Sequence, residues 1–158
     1  PIEDEPENLE LLTAFYEEAL KDLDKKLSNL PIGRPHEGSI TSRFGYRANP
    51  FTRRGREMHS GVDLRGRTGQ PIKATANGTV QYAGYEGEYG NVVKVKHANG
   101  YETRYAHLVK VLVKPGQKVE AGNLVGLLGS TGRSTGPHLH YEILKNGVKM
   151  NPEKYFNF

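Results

Sequence analysis

Between residues 7 and 30, apolar side chains recur at steps of three and four: Leu9, Leu12, Tyr16, Leu20, Leu23, Leu27 and Leu30. That period belongs to one face of a helix, and Pro31 and Gly33 end it. Leu11, Phe15 and Ala19 add a second, shorter ridge. A stripe this wide is expected to pack on its own domain. The alternative is a coiled-coil partner through residues 7–30, the helix being the remnant of a longer coil. Residues 31–58 show no period and are rich in Gly, Pro, Arg and Asn, so they read as extended loop with one short strand near 39–44. From His59 onward the pattern is that of strands. Residues 79–83 lie between glycines, and 91–96 alternate apolar with polar. Ala98-Asn99-Gly100 then turns the chain into 101–106. Further strands are expected at 124–128 and 138–144, with turns at Lys114-Pro115-Gly116-Gln117 and Lys145-Asn146-Gly147.

Short strands at this spacing predict a mainly β fold, an antiparallel sandwich-like barrel preceded by one N-terminal α-helix. The length, 158 residues, suits one packed domain. We divide it into a helical segment, residues 1–33, and a β domain, residues 34–158. With 19 glycines and only 35% hydrophobic residues, the composition fits turns and half-buried strands better than a helical bundle. No stretch approaches the roughly 20 apolar residues of a membrane span. The chain opens on Pro1 rather than Met, which reads as a processed form or a fragment whose export signal lies elsewhere. Charge separates along the chain. Residues 1–30 carry nine acids and three bases, net −6, and the rest carries nine acids and nineteen bases, net +10. A domain at +10 favours anionic partners such as nucleic acid, anionic lipid or wall polymer, or simply keeps the protein soluble.

The chain has no cysteine, so any metal must be held by His, Asp or Glu. Six histidines are present. The sharpest pattern is His138-Leu139-His140-Tyr141-Glu142-Ile143. On a strand, Leu139, Tyr141 and Ile143 share the core face, while His138, His140 and Glu142 share the other. Two imidazoles about 7 Å apart along one strand can address one site. Glu142 reads as an exposed strand residue, or else as the acceptor that orients a ligating imidazole. The second pattern is His59-Ser60-Gly61-Val62-Asp63, in which a small flexible linker lets an imidazole and a carboxylate reach one ion. Those two with one histidine of the 138/140 pair make a three-ligand site, leaving the fourth position open as catalytic zinc requires. His107 ends a strand and read alone is an ordinary packed or surface histidine; His97 and His36 read the same way.

Taken together, several stretches resemble the lysostaphin/LytM-type zinc metallopeptidases. They are Thr41-Ser42-Arg43-Phe44-Gly45-Tyr46-Arg47, His59 to Asp63, Tyr105-Ala106-His107-Leu108, the run from Lys114 to Gly122, and Gly129 to His140. The resemblance covers roughly residues 38–156, and the motifs stand in order. It implies a sandwich-like barrel of duplicated hybrid type and cleavage of peptide bonds in bacterial peptidoglycan. It also implies zinc ligands at His59, Asp63 and His140, and catalytic histidines at His107 and His138. Some relatives have lost such residues and only activate other wall hydrolases; all five are present here. Arg133 stands where many members carry Asn; the resemblance assigns it no role, though a cation beside the cleft could contact a substrate carboxylate.

The expected reaction is hydrolysis by a zinc-activated water, the two histidines dividing proton transfer and oxyanion stabilisation. A peptidoglycan peptide is the expected partner, and the periplasm, cell envelope or exterior the expected location. A non-catalytic wall-binding or amidase-activating protein of the same fold is the main rival, with residues 53–58 as a segment able to cover the zinc. A carrier or phosphotransfer domain lacks a modifiable lysine at a hairpin tip and has no need of Asp63. Nucleic-acid binding is not expected, for want of any reader motif or aromatic platform.

Overall fold

The computed structural model describes residues 5–48, 51 and 55–157. Helix α1 spans Glu5–Ser28. The strands among the described residues are β1 (Ile40–Ser42), β2 (Gly45–Ala48), β3 (Arg56–His59), β4 (Val62–Arg65), β5 (Pro71–Lys73), β6 (Gly78–Glu86), β7 (Gly90–Lys96), β8 (Tyr101–Leu108), β9 (Lys110–Val111), β10 (Lys118–Val119), β11 (Leu124–Leu127), β12 (His138–Lys145) and β13 (Val148–Met150). One large antiparallel sheet runs in the order β1-β4-β12-β8-β7-β6-β10, with β13 beside β12. A three-stranded sheet, β5-β11-β9, and the β2-β3 hairpin complete the domain. The large sheet ends on short edge strands, β1 of three residues and β10 of two, and does not close. The expected sandwich-like antiparallel architecture is therefore present, without full barrel closure.

The alternation read along β12 is what builds the core. Leu139, Tyr141 and Ile143 are fully buried, and they pack with Val62 and Leu64 of β4, Val93 and Val95 of β7, and Tyr105 of β8. Ile72 of β5 and Val125 of β11 belong to the same cluster. Each such side chain contributes roughly 1.5–3 kcal/mol on burial. Buried hydroxyls find partners: Tyr141 and Tyr105 meet Thr75 Oγ1 at 2.7 and 3.3 Å. Of the two ordinary readings of His97, packed or surface, the packed one holds: it links the Asn77 carbonyl at 2.8 Å and the Thr103 hydroxyl at 2.7 Å. His36 sits against the Arg65 carbonyl at 2.9 Å.

Two expectations need correction. Residues 31–58 hold more than one short strand, because β2 and β3 pair from Gly45↔His59 to Ala48↔Arg56. Four-residue strands without alternation leave no period to read. The helix also does not lay its stripe on the domain. Leu9, Leu12, Tyr16, Leu20 and Leu23 are all at least half exposed. The domain holds α1 at its C-terminal end: Asn77 N–H donates to the Ser28 carbonyl at 2.7 Å, and Leu30 packs on the core. Anchored there, the helix points its apolar face into solvent.

Candidate active site

Three strands carry the buried polar cluster. His59 ends β3, and Ser60-Gly61 turns the chain into β4, where Asp63 lies opposite His140 of β12 in register. Gly61 is required here: a Cβ would fall 2.2 Å from the Tyr141 carbonyl oxygen. The turn thus lies against the β12 backbone and brings His59 over Asp63. Asp63 Oδ1 is 3.2 Å from His59 Nε2 and 2.9 Å from His140 Nδ1, and the two nitrogens are 3.3 Å apart. His59, Asp63 and His140 are the one group of this kind among the described residues.

The outer partners decide which atoms face inward. His59 Nδ1 donates to the Arg43 carbonyl at 2.8 Å, so Nε2 presents its lone pair. His140 Nε2 lies 3.4 Å from Glu142 Oε1, so Nδ1 presents its lone pair. With those tautomers the three converging atoms are all acceptors. Such a trio suits a cation. Ligand atoms on one tetrahedral zinc lie about 3.3–3.6 Å apart, given bonds of about 2.0–2.2 Å, close to the spacing seen. The same atoms can share a proton instead. Burial opposes charge on His140, yet hydrogen bonds to Asp63 and Glu142 push its pKa up to about 9. Burial likewise opposes ionisation of Asp63, but in that protonated arrangement hydrogen bonds to His140 and His59 hold it well below the usual carboxylate range.

Glu142 is fully buried, contrary to its reading as an exposed strand residue. Non-local groups cover it: Tyr89 Oη donates to Oε1 at 2.6 Å, Lys149 Nζ at 3.0 Å and Ser60 Oγ at 3.1 Å. Burial raises its pKa, but hydrogen bonds to His140 and Lys149 outweigh that and leave it at about 2. It is an anion at neutral pH, able to fix the His140 tautomer.

The other two histidines are held by one glycine-rich loop. His107 Nδ1 donates to the Thr131 carbonyl at 2.7 Å, and His138 Nδ1 to the Gly136 carbonyl at 2.8 Å. Both therefore turn Nε2 toward the cleft, with ring centroids 4.9 Å apart. Simple alternation would send His107 into the core beside Tyr105. A bulge prevents this, because β8 places an extra residue between its pairings Tyr105↔Val93 and Leu108↔Asn91. His107 takes φ 63°, a left-handed conformation uncommon outside glycine. Burial and the neighbouring His140 charge lower its pKa to about 4, so it is neutral at pH 7. All five residues line one cleft of about 520 Å³, with Phe51, Met58, Tyr89 and Arg133 around it. Arg53 and Arg54, part of the segment considered as a cover, lie outside the described residues. Glu57 and Met58 from that segment stand in the cleft wall.

Residues 57–152 match the family model described as peptidase family M23. The chain belongs to peptidase family M23. Among relatives, peptidoglycan DD-endopeptidase ShyC of Vibrio cholerae is 48% identical over 96 residues, 61% of this chain and 22% of that protein. A zinc-containing peptidase from Vibrio cholerae superposes with TM-score 0.70 at 38% identity, over 76% of this chain and 38% of that one. The catalytic domain of lysostaphin from Staphylococcus simulans superposes with TM-score 0.67 at 31% identity, over 75% of this chain and 91% of that one. The chain spans about a quarter of the length of the first curated relatives it matches. The M23 match covers the three strands that carry the buried trio, the bulge of β8 and the loop that holds both remaining histidines.

Proposed function

We propose that this M23 domain is a zinc-dependent endopeptidase acting on the peptide cross-links of bacterial peptidoglycan. The observation that carries the proposal is the pairing of two arrangements in one cleft. Three acceptors, His59 Nε2, Asp63 Oδ1 and His140 Nδ1, converge within 3.3 Å. Beside them stand two histidines whose Nε2 atoms face the same space. The endopeptidase name of the Vibrio cholerae relative supports the substrate class, and the zinc-containing neighbour supports the metal.

His59, Asp63 and His140 would hold the zinc, with Glu142 and the Arg43 carbonyl keeping both imidazoles in the ligating tautomer. Bound zinc supplies a Lewis acid that polarises the scissile carbonyl and lowers the pKa of water. His107 and His138 divide the proton work. One takes the proton of the attacking water and returns it to the leaving amine, and the other, once it carries a proton on Nε2 as well as Nδ1, offers a hydrogen bond to the oxyanion. The loop carbonyls at Thr131 and Gly136 fix both rings, so neither must reorganise during the reaction. The substrate places the work in the periplasm, the cell envelope or outside the cell. The test incubates the purified chain with intact sacculi, with and without a chelator, and identifies released muropeptides by mass. Chelator-sensitive loss of cross-linked dimers is expected; unchanged cross-linking in the zinc-loaded sample rejects the proposal.

A further inference from the structure

Arg133 is a cation in the cleft wall that neither the buried trio nor the two loop-held histidines use. Its backbone is fixed: the N–H donates to the Glu88 carbonyl at 2.9 Å. The preceding Gly132, at φ 75°, lies so close to β7 that a Cβ would come within 2.3 Å of Gly90 N. The guanidinium carbon stands 4.2 Å from the centroid of the Phe51 ring. Stacking of that kind leaves the in-plane N–H edges of the fork for a ligand. Two acids of the cleft lining flank it, Glu57 at 3.8 Å and Glu88 at 3.7 Å. An arginine that served only to tie the walls would close to charge-assisted hydrogen bonds of about 2.7–2.9 Å. Here neither acid is within hydrogen-bond distance, so the fork is steered into place but not consumed. The same loop supplies the carbonyls that fix His107 and His138, which ties Arg133 in position to the two catalytic histidines.

We infer that Arg133 is a substrate-reading residue that takes a free carboxylate of the peptide near its scissile bond. The inference rests on the endopeptidase reading above and adds the class of group recognised. A planar carboxylate can accept both N–H bonds of the fork, displacing the loose approach of Glu57 and Glu88.

The test uses two synthetic cross-linked peptides that differ in one group, a diamino-acid carboxylate either free or converted to the amide. The readout is the ratio of kcat/KM for the free acid over the amide, in the zinc-loaded full chain. The wild-type ratio is expected at about ten- to a hundredfold, the scale of hydrogen bonds to a charged group. Arg133→Gln should bring the ratio to about one, and Arg133→Lys should leave an intermediate value, because a point charge lacks the fork. Partial unfolding would scale both efficiencies by one factor, so the ratio reports on the folded molecules alone. A wild-type ratio near one, or a ratio that survives Arg133→Gln, overturns the inference. Calorimetric binding of the same two peptides is read in parallel. Preferential binding of the free acid, abolished by Arg133→Gln, with neither peptide cleaved, supports carboxylate recognition and counts against the peptidase reading. Cleavage of both peptides with no preference counts against carboxylate recognition alone.

Discussion

The five site residues divide into two groups held in different ways. His59, Asp63 and His140 stand on or beside paired strands, and the Asp63↔His140 register sets them face to face. His107 and His138 depend on the carbonyls of one glycine-rich loop, and His107 also depends on a bulge. The first group is ringed by fixed partners, as suits a cation, though His107 of the second is just as buried. The second turns its Nε2 atoms to the cleft, His138 Nε2 standing 3.6 Å from Asp63 Oδ1. On the proposed function, the fold separates binding of a metal from movement of a proton, and each group should fail in its own way.

The largest effect is expected from Asp63→Ala. This removes the anion between two imidazoles, and zinc affinity should fall beyond the about 10–100-fold that loss of an outer partner costs. Competition with a chromogenic chelator measures it, and affinity close to wild type would break the assignment of the trio. A smaller and different effect is expected from Gly132→Ala. The new Cβ would meet Gly90 N at 2.3 Å in a backbone at φ 75°, so the loop must shift. A displacement near 1 Å at the catalytic pair costs about 10²-fold in turnover. Zinc content should stay at the wild-type level, and loss of metal here would mean that the two groups are not separate.

The smallest effect lies outside the site. Burial lowers the pKa of His97 from its usual 6.5. The folded state therefore binds fewer protons than the unfolded chain. The stabilising contribution is complete above about 6.5 and declines as pH falls below it. His97→Gln keeps polar contacts without titrating, so its melting temperature should fall less between pH 7 and pH 5 than that of the wild type. Equal slopes would show that His97 does not contribute to acid sensitivity.

What could be read in advance follows the range of the interaction. The alternation along β12 is local, so the core face and the His138–His140 face were both legible, and both stand. The His59–Asp63 spacing was legible because its linker is short. The burial of Glu142 was not, because the groups that cover it, Tyr89 and Lys149, come from elsewhere in the chain. Nor could residue spacing alone turn His107 toward the cleft. That needs one extra residue in β8, which leaves no periodic trace; its catalytic assignment came through family resemblance. The helix shows the opposite limit: its period is plain, yet the period does not say what the apolar face meets. The β2–β3 hairpin leaves no trace in the pattern because strands of four residues are too short to show alternation.

The most direct measurement is zinc content beside turnover in His140→Ala and His107→Ala, purified and loaded identically. The account predicts that His140→Ala loses metal and activity together. His107→Ala should keep its metal while turnover falls by about 10²–10⁴-fold, the scale of one proton-transfer or oxyanion group. Loss of zinc from His107→Ala, or retention of full zinc by His140→Ala, would contradict the division of the site.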